Sequence, residues 1–159
     1  MSKSVHVVYI VIIVVLLSLL LYDQIPDPQT SSPPEVPLRL AILGFEPYSD
    51  EAGPIAKTIE IELSERLAGN SRLVLVPKSE FAGRDGSSHQ LWASELMIDL
   101  ILEGAVNTQG DRLLVSAQLI DGSSDLHLWA ETYSLDINDR SHVVNDIASQ
   151  VVLASNDGS

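Results

Sequence analysis

Few side chains in this 159-residue chain could do chemistry, and their spacing argues against most of what they could do. His89, His127 and His142 fall in a loop, a strand and a helix, and none belongs to an H-x-x-x-H or H-E-x-x-H pattern that would set two metal ligands on one helical face. The chain has no cysteine, which excludes disulfides, thiolate metal sites, a Cys nucleophile and the lipid-attachment Cys of a bacterial lipoprotein. Neither G-x-G-x-x-G, G-x-x-x-x-G-K nor G-x-S-x-G occurs. No metal and no cofactor is therefore expected. Two acids, Glu103 and Glu131, fall on strands of one antiparallel unit, and paired carboxylates do acid and base work when burial splits their pKa values. That is the one hydrolytic reading available. Another strand separates the two in hairpin order, and acids on a half-exposed sheet face are ordinarily solvated, so the chain is read as non-enzymatic.

Aromatic residues offer binding instead. Trp129 and Tyr133 share one face of a strand with His127 and Glu131 by simple alternation, a candidate interaction surface for a peptide or glycan. The competing reading, preferred here, packs Trp129 beneath the final helix, because that face needs something apolar to meet it. An unpaired edge strand, open to augmentation by a partner's strand, is a second binding device.

The stretch that must position these residues runs from Leu100 to Tyr133. Leu100, Leu102, Gly104 and Val106 alternate with their neighbours; Leu113, Val115, Ala117 and Leu119 form one face of a second strand; Leu126, Leu128, Ala130 and Thr132 form one face of a third. Thr108-Gln109-Gly110-Asp111 and Asp121-Gly122-Ser123-Ser124 supply turn residues between them. An antiparallel meander follows. Upstream, LRLAILGF reads as a buried strand with Leu38, Leu40, Ile42 and Gly44 on one face and Ala41, Leu43 and Phe45 on the other. Pro54 suits a first helical turn, Ile55, Ile59, Leu63 and Leu67 recur every four residues, and Gly69-Asn70 closes the helix. RLVLVP, from Arg72 to Pro77, is a short strand followed by loop and by a Gly- and Ser-rich patch, Gly83 to Ser88, expected to be the most mobile part. A weakly patterned helix over 87–96 surrounds Trp92, and Ile137 to Leu153 forms a last helix that buries Val143, Val144, Ile147 and Val151, with Asn138 as N-cap. The order β-α-β-α-β-β-β-α predicts an α/β domain with a five-stranded mixed sheet, its first three strands parallel through helical crossovers.

Residues LEGAV, GDRLLVSAQLID and HLWAETY, followed by Asp136, resemble the TolB amino-terminal-like domain of bacterial membrane-linked regulators and envelope proteins. The resemblance is dense over about 40 residues and extends loosely to LAILGF, Leu40 to Phe45. It departs at EPYSDEAGP, which is shorter than the family's Asn-Leu-Ser and Asp-Pro run. It implies the same α/β layout. In related proteins such a domain stands beside tetratricopeptide repeats in CadC-like regulators, beside cyclase domains, or in envelope assembly proteins, so the resemblance implies docking or sensing.

Residues 5–22, Val5 to Tyr22, are broken only by His6 and Ser18 and as a helix span roughly 27 Å at about 1.5 Å per residue, which predicts one uncleaved transmembrane signal-anchor. His6 falls at the headgroup level. Residues 1–4, with Lys3, are placed in the cytoplasm by the positive-inside bias. Residues 23–37 form a linker with five prolines, 38–154 the domain, and 155–159 a disordered tail. Beyond Tyr22 the chain holds eight Lys and Arg against 22 Asp and Glu, a net charge of −14 that repels nucleic acid. With four residues before the span, no cytoplasmic DNA-binding or cyclase output is expected, so any signal needs a partner. The reading is thus a single-pass protein of the bacterial inner membrane, with a periplasmic domain that docks another envelope protein. The alternative is a small-ligand sensor with a pocket between the meander and the Gly83 to Ser88 patch. Self-association is left open.

Overall fold

The meander forms as its alternation requires. Strand β3 (Leu100–Gln109) pairs antiparallel with β4 (Arg112–Asp121), and β4 with β5 (His127–Asp136). Gln109 faces Arg112, leaving Gly110-Asp111 as a two-residue hairpin loop in which Gly110 takes the left-handed φ of 61° that such turns demand. This computed structural model describes residues 36–84 and 89–157. The expected membrane segment and nearly all of the linker lie outside the described residues, as does most of the Gly83 to Ser88 patch. Among the described residues no helix is long and apolar enough to cross a membrane.

Upstream of the meander come β1 (Leu38–Pro47), α1 (Ala52–Ala68), β2 (Leu73–Val76), the single turn α2 (Lys78–Phe81) and α3 (His89–Leu96). After it, a 3-10 turn (Ile137–Asp139) leads into α4 (Arg140–Asp157). The sheet order is β2-β1-β3-β4-β5, with β1 parallel to both neighbours, so the domain is α/β with a five-stranded mixed sheet. Helices α1 and α4 cover one face: Ile59, Leu63, Leu67, Val144, Ile147 and Val151 pack on Leu40, Leu102, Val106, Leu113, Val115 and Leu119. The short α2 and α3 cover part of the other, where Phe81 stacks on Trp92 at 5.8 Å over Ala41, Ile101 and Ile120.

Four expectations are corrected. Phe45 does not share a face with Ala41: the register with β3 slips between Ile42 and Gly44, where Gly44 has φ 115°, and this bulge turns Phe45 to the α1 side with Leu40 and Ile42. Lys78–Phe81, read as loop, is helical because burying Phe81 against Trp92 outweighs the weak local pattern. Asp136 rather than Asn138 caps the last helical segment, its extended backbone letting Oδ1 accept the Asn138 amide at 2.9 Å. That bond, with a second from the Asn138 side chain, holds the Asp136 carboxyl below the usual range. Finally, α4 runs four residues past Leu153, because Ser155 is buried and its hydroxyl donates to the Val152 carbonyl at 2.7 Å.

The β4–β5 connection is built on one carboxylate. Asp121 Oδ1 accepts from the Ser123 and Ser124 amides at 2.9 and 2.8 Å and from their hydroxyls at 2.6 and 2.9 Å. The Ser123 hydroxyl is the main cause holding the Asp121 carboxyl below its ordinary value, against the opposing effect of burial. A depressed carboxylate stabilises the fold above its unfolded pKa and loses that contribution as pH falls through the folded value. Asp121→Ala is expected to lower stability by about 1 kcal/mol near neutrality, and the gap to the parent should shrink below about pH 4. Urea denaturation at both pH values measures this; an unchanged gap counts against the assignment.

Candidate functional site

Both sheet edges are now located. Strand β2 has four residues, whereas β5 has ten and, among the described residues, lies unpaired along its outer side. Its residues divide by register. Trp129, Glu131 and Tyr133 stand opposite Leu119, Ala117 and Val115, on the α4 side. Trp129 and Tyr133 are half-buried against that core, and the Tyr133 hydroxyl donates to Asp146 of α4 at 2.7 Å. Burial, then the Asp146 carboxylate, pushes the Tyr133 phenol well above its ordinary pKa, so it remains the donor. His127 does not join them. The register slips between Leu119 and Ile120, which places His127 opposite Ile120, a residue of the other face; the extra residue, Leu128, makes a bulge that alternation could not reveal. The residues expected to share a face, Leu126, Leu128, Ala130 and Thr132, are likewise exposed; Ala130 and Thr132 look away from the two long helices, while Leu128, displaced at the bulge, borders Leu38 and Ala154.

Beyond the reach of α2 and α3 the second face of the sheet is open. There a groove of about 750 Å³ runs from Lys78 beside β1 to Ala130 and Thr132 on β5. Small residues, among them Gly44, Ser116 and Ala130, form its floor and bring the backbone near the surface. Among the described residues its charged side chains on this face are Glu46, Glu60 and Glu103, with Lys78 as the base. Lys78 Nζ lies 2.8 Å from Glu60 Oε1, and that pair rests against β1 where a side chain on Gly44 would meet both. Glu103 accepts from Gln118 Nε2 at 2.6 Å and faces His89 Nε2 at 3.5 Å, while His89 Nδ1 lies 3.6 Å from Asp125. Sequence reasoning missed this polar chain, since its members are far apart along the sequence and only the register of β3 on β4 assembles them.

The two acids that the sequence offers as a carboxylate pair do not meet. Glu103 stands opposite Gln118 and Glu131 opposite Ala117, so the two carboxylates belong to opposite sides of the sheet with β4 between them. Among the described residues no group of three or more His, Asp or Glu could hold a metal ion.

A sheet with two long helices on one face and a partly open second face is a layout this chain shares with TolB and with the C-terminal domain of LpoB. TolB from Acinetobacter baumannii superposes with a TM-score of 0.58 at 15% identity, over 74% of this chain and 28% of that one. The C-terminal domain of LpoB from Salmonella enterica superposes with a TM-score of 0.52 at 12% identity, over 64% of this chain and 84% of that one. At such identities the likeness is one of fold. The layout implied by the resemblance to TolB amino-terminal-like domains is thus the layout found. No family model matches the chain. Among curated proteins, the putative adenylate cyclase 3 of Rhizobium meliloti (strain 1021) is 28% identical over 135 residues, which cover 81% of this chain. The chain spans 23% of that protein's length.

Proposed function

We propose that this chain is a non-enzymatic, membrane-anchored module of the bacterial envelope, held by residues 5–22 with its domain on the periplasmic side, and that it docks another envelope protein along β5. The observation that carries the docking is the edge itself: ten residues of unpaired strand beside an open half-face, against only four at the opposite edge. Strand addition supplies main-chain hydrogen bonds for affinity and side-chain positions on alternate faces for selection. The net charge of the chain beyond Tyr22 favours a partner with a basic contact surface over an acidic one.

In-cell photocrosslinking tests this reading. Crosslinkers at Ala130 and Thr132 are expected to capture one discrete envelope protein, while a crosslinker at Ile61, exposed on α1, captures none. Equal capture from all three positions, or none from β5, counts against it. A variant with Ala130→Lys and Thr132→Lys should lose the captured species and keep its melting temperature.

A second reading, a regulatory subunit that senses a small periplasmic ligand, draws on the groove and on the likeness to a cyclase. A thermal-shift screen of metabolites and glycans addresses it, and a flat response argues against it.

A further inference from the structure

Six of the nine large apolar side chains exposed among the described residues gather at one end of the domain. They are Val36, Leu91, Met97, Leu126, Leu128 and Leu153, and the topology explains why they meet. At this end β1 and β3 begin, β4 finishes, β5 begins and α4 finishes. Two hollows of about 410 and 440 Å³, one bordered by Leu38, Leu128 and Ala154 and the other by Leu91 and Met97, adjoin through Asp99 and Ser123. The two hollows thus flank the sheet end on either side, with polar Asp99 and Ser123 between them. Met97 is 72% exposed although its φ of 54° lies in the left-handed region, where Gly or Asn would be less strained.

The acids of this end are engaged within the domain. Asp99 Oδ2 accepts the Arg39 amide at 2.7 Å, Asp121 Oδ1 accepts from the two serines, and Asp125 stands beside His89. The end thus presents six exposed apolar side chains on a domain that is otherwise strongly acidic. The chain also enters the domain here, at Val36, with only 13 residues between it and Tyr22, where the apolar run closes.

We infer that this end of the domain rests on the lipid surface from which the chain emerges, with the leucines and Met97 entering the headgroup region. This inference rests on the anchored reading proposed above. A tether of that length, at most roughly 40 Å when extended at about 3.1 Å per residue, makes the contact intramolecular, so a modest apolar area is enough. The acidity of the rest of the domain selects a zwitterionic surface over an anionic one.

The test uses the full chain in phosphatidylcholine nanodiscs. Because the sequence has no cysteine, a single introduced one carries the only label. An environment-sensitive fluorophore on Leu126→Cys or Met97→Cys should shift to the blue and lose most of its emission to lipid-borne quenchers. The same label on Ile61→Cys or Tyr48→Cys should do neither. Adding Leu128→Glu and Leu153→Glu should abolish the response at Met97→Cys, and replacing part of the lipid with phosphatidylglycerol should weaken it at low salt. Equal emission at all four positions, in a chain that stays with the nanodisc, overturns the docking and leaves the anchor standing. A chain that fails to enter nanodiscs overturns both. A response at Leu126→Cys that persists in detergent-free solution without lipid points to a second protein surface and also overturns the proposal.

Discussion

Gly104→Leu is expected to destabilise the domain by about 3 kcal/mol, at the upper end of what overpacking costs. Gly104 sits mid-strand in β3, opposite Phe45 of β1 and Ala117 of β4. A Cβ there would lie 2.3 Å from the Ser116 carbonyl oxygen and 2.5 Å from the Phe45 ring, and neither can yield cheaply: one is ladder backbone, the other a buried ring. The position ties three features together. The bulge at Gly44 turns Phe45 to the α1 side, the ring covers the glycine, and the glycine leaves room for the ring. Chemical denaturation of the variant measures the loss. Gly53→Ala in α1 supplies the contrast, because nothing lies within 4 Å of the added carbon; it should stabilise by about 0.5 kcal/mol through the unfolded chain. Equal effects from the two glycines would argue against the packing described.

Ile147→Ala should cost about 3 kcal/mol. Ile147 is fully buried where α4 crosses the sheet, together with Val143, Val144 and Val151. The cost arises from lost transfer energy plus a cavity that collapses poorly, since strands lie beneath it and α1 beside it. Leu153→Ala, on the outer side of the same helix and 56% exposed, should change stability by less than about 0.5 kcal/mol. Thermal melting of both variants compares them directly, and a similar loss from each would mean that α4 packs on a different face.

Much of this fold is legible in the sequence wherever a single physical rule governs a stretch. Period-2 alternation and Gly-bearing turns locate β3 and β4, and the four-residue recurrence of Ile59, Leu63 and Leu67 gives α1 its buried face. Rules of fixed period fail where the backbone slips. The bulges at Gly44 and Leu128 each move one residue of interest, Phe45 and His127, across the sheet, and no run of residue types announces them. Lys78–Phe81 escapes for another reason: four residues carry no period, and only the distant Trp92 makes them helical. The candidate site is legible in part. The edge and the open half-face depend on strand order, which the sequence leaves undetermined, whereas the aromatic pair Trp129 and Tyr133 is visible and meets α4 as the packing reading prefers.

The place of β1 in the sheet bears on how the chain reaches its native state. Leu40 pairs with Leu100, sixty residues further on, and β2 offers β1 only four residues of pairing in the meantime. During synthesis the LRLAILGF strand therefore emerges long before its principal partner, while β3, β4 and β5 can zip together through local contacts as soon as they appear. The domain is expected to close by docking of β1 on a meander already formed. Until then an apolar strand with both faces bare is open to aggregation. Substitutions that slow the meander should consequently reduce the yield of folded protein more than its equilibrium stability, and delay between β1 and β3 is the interval in which a chaperone matters most.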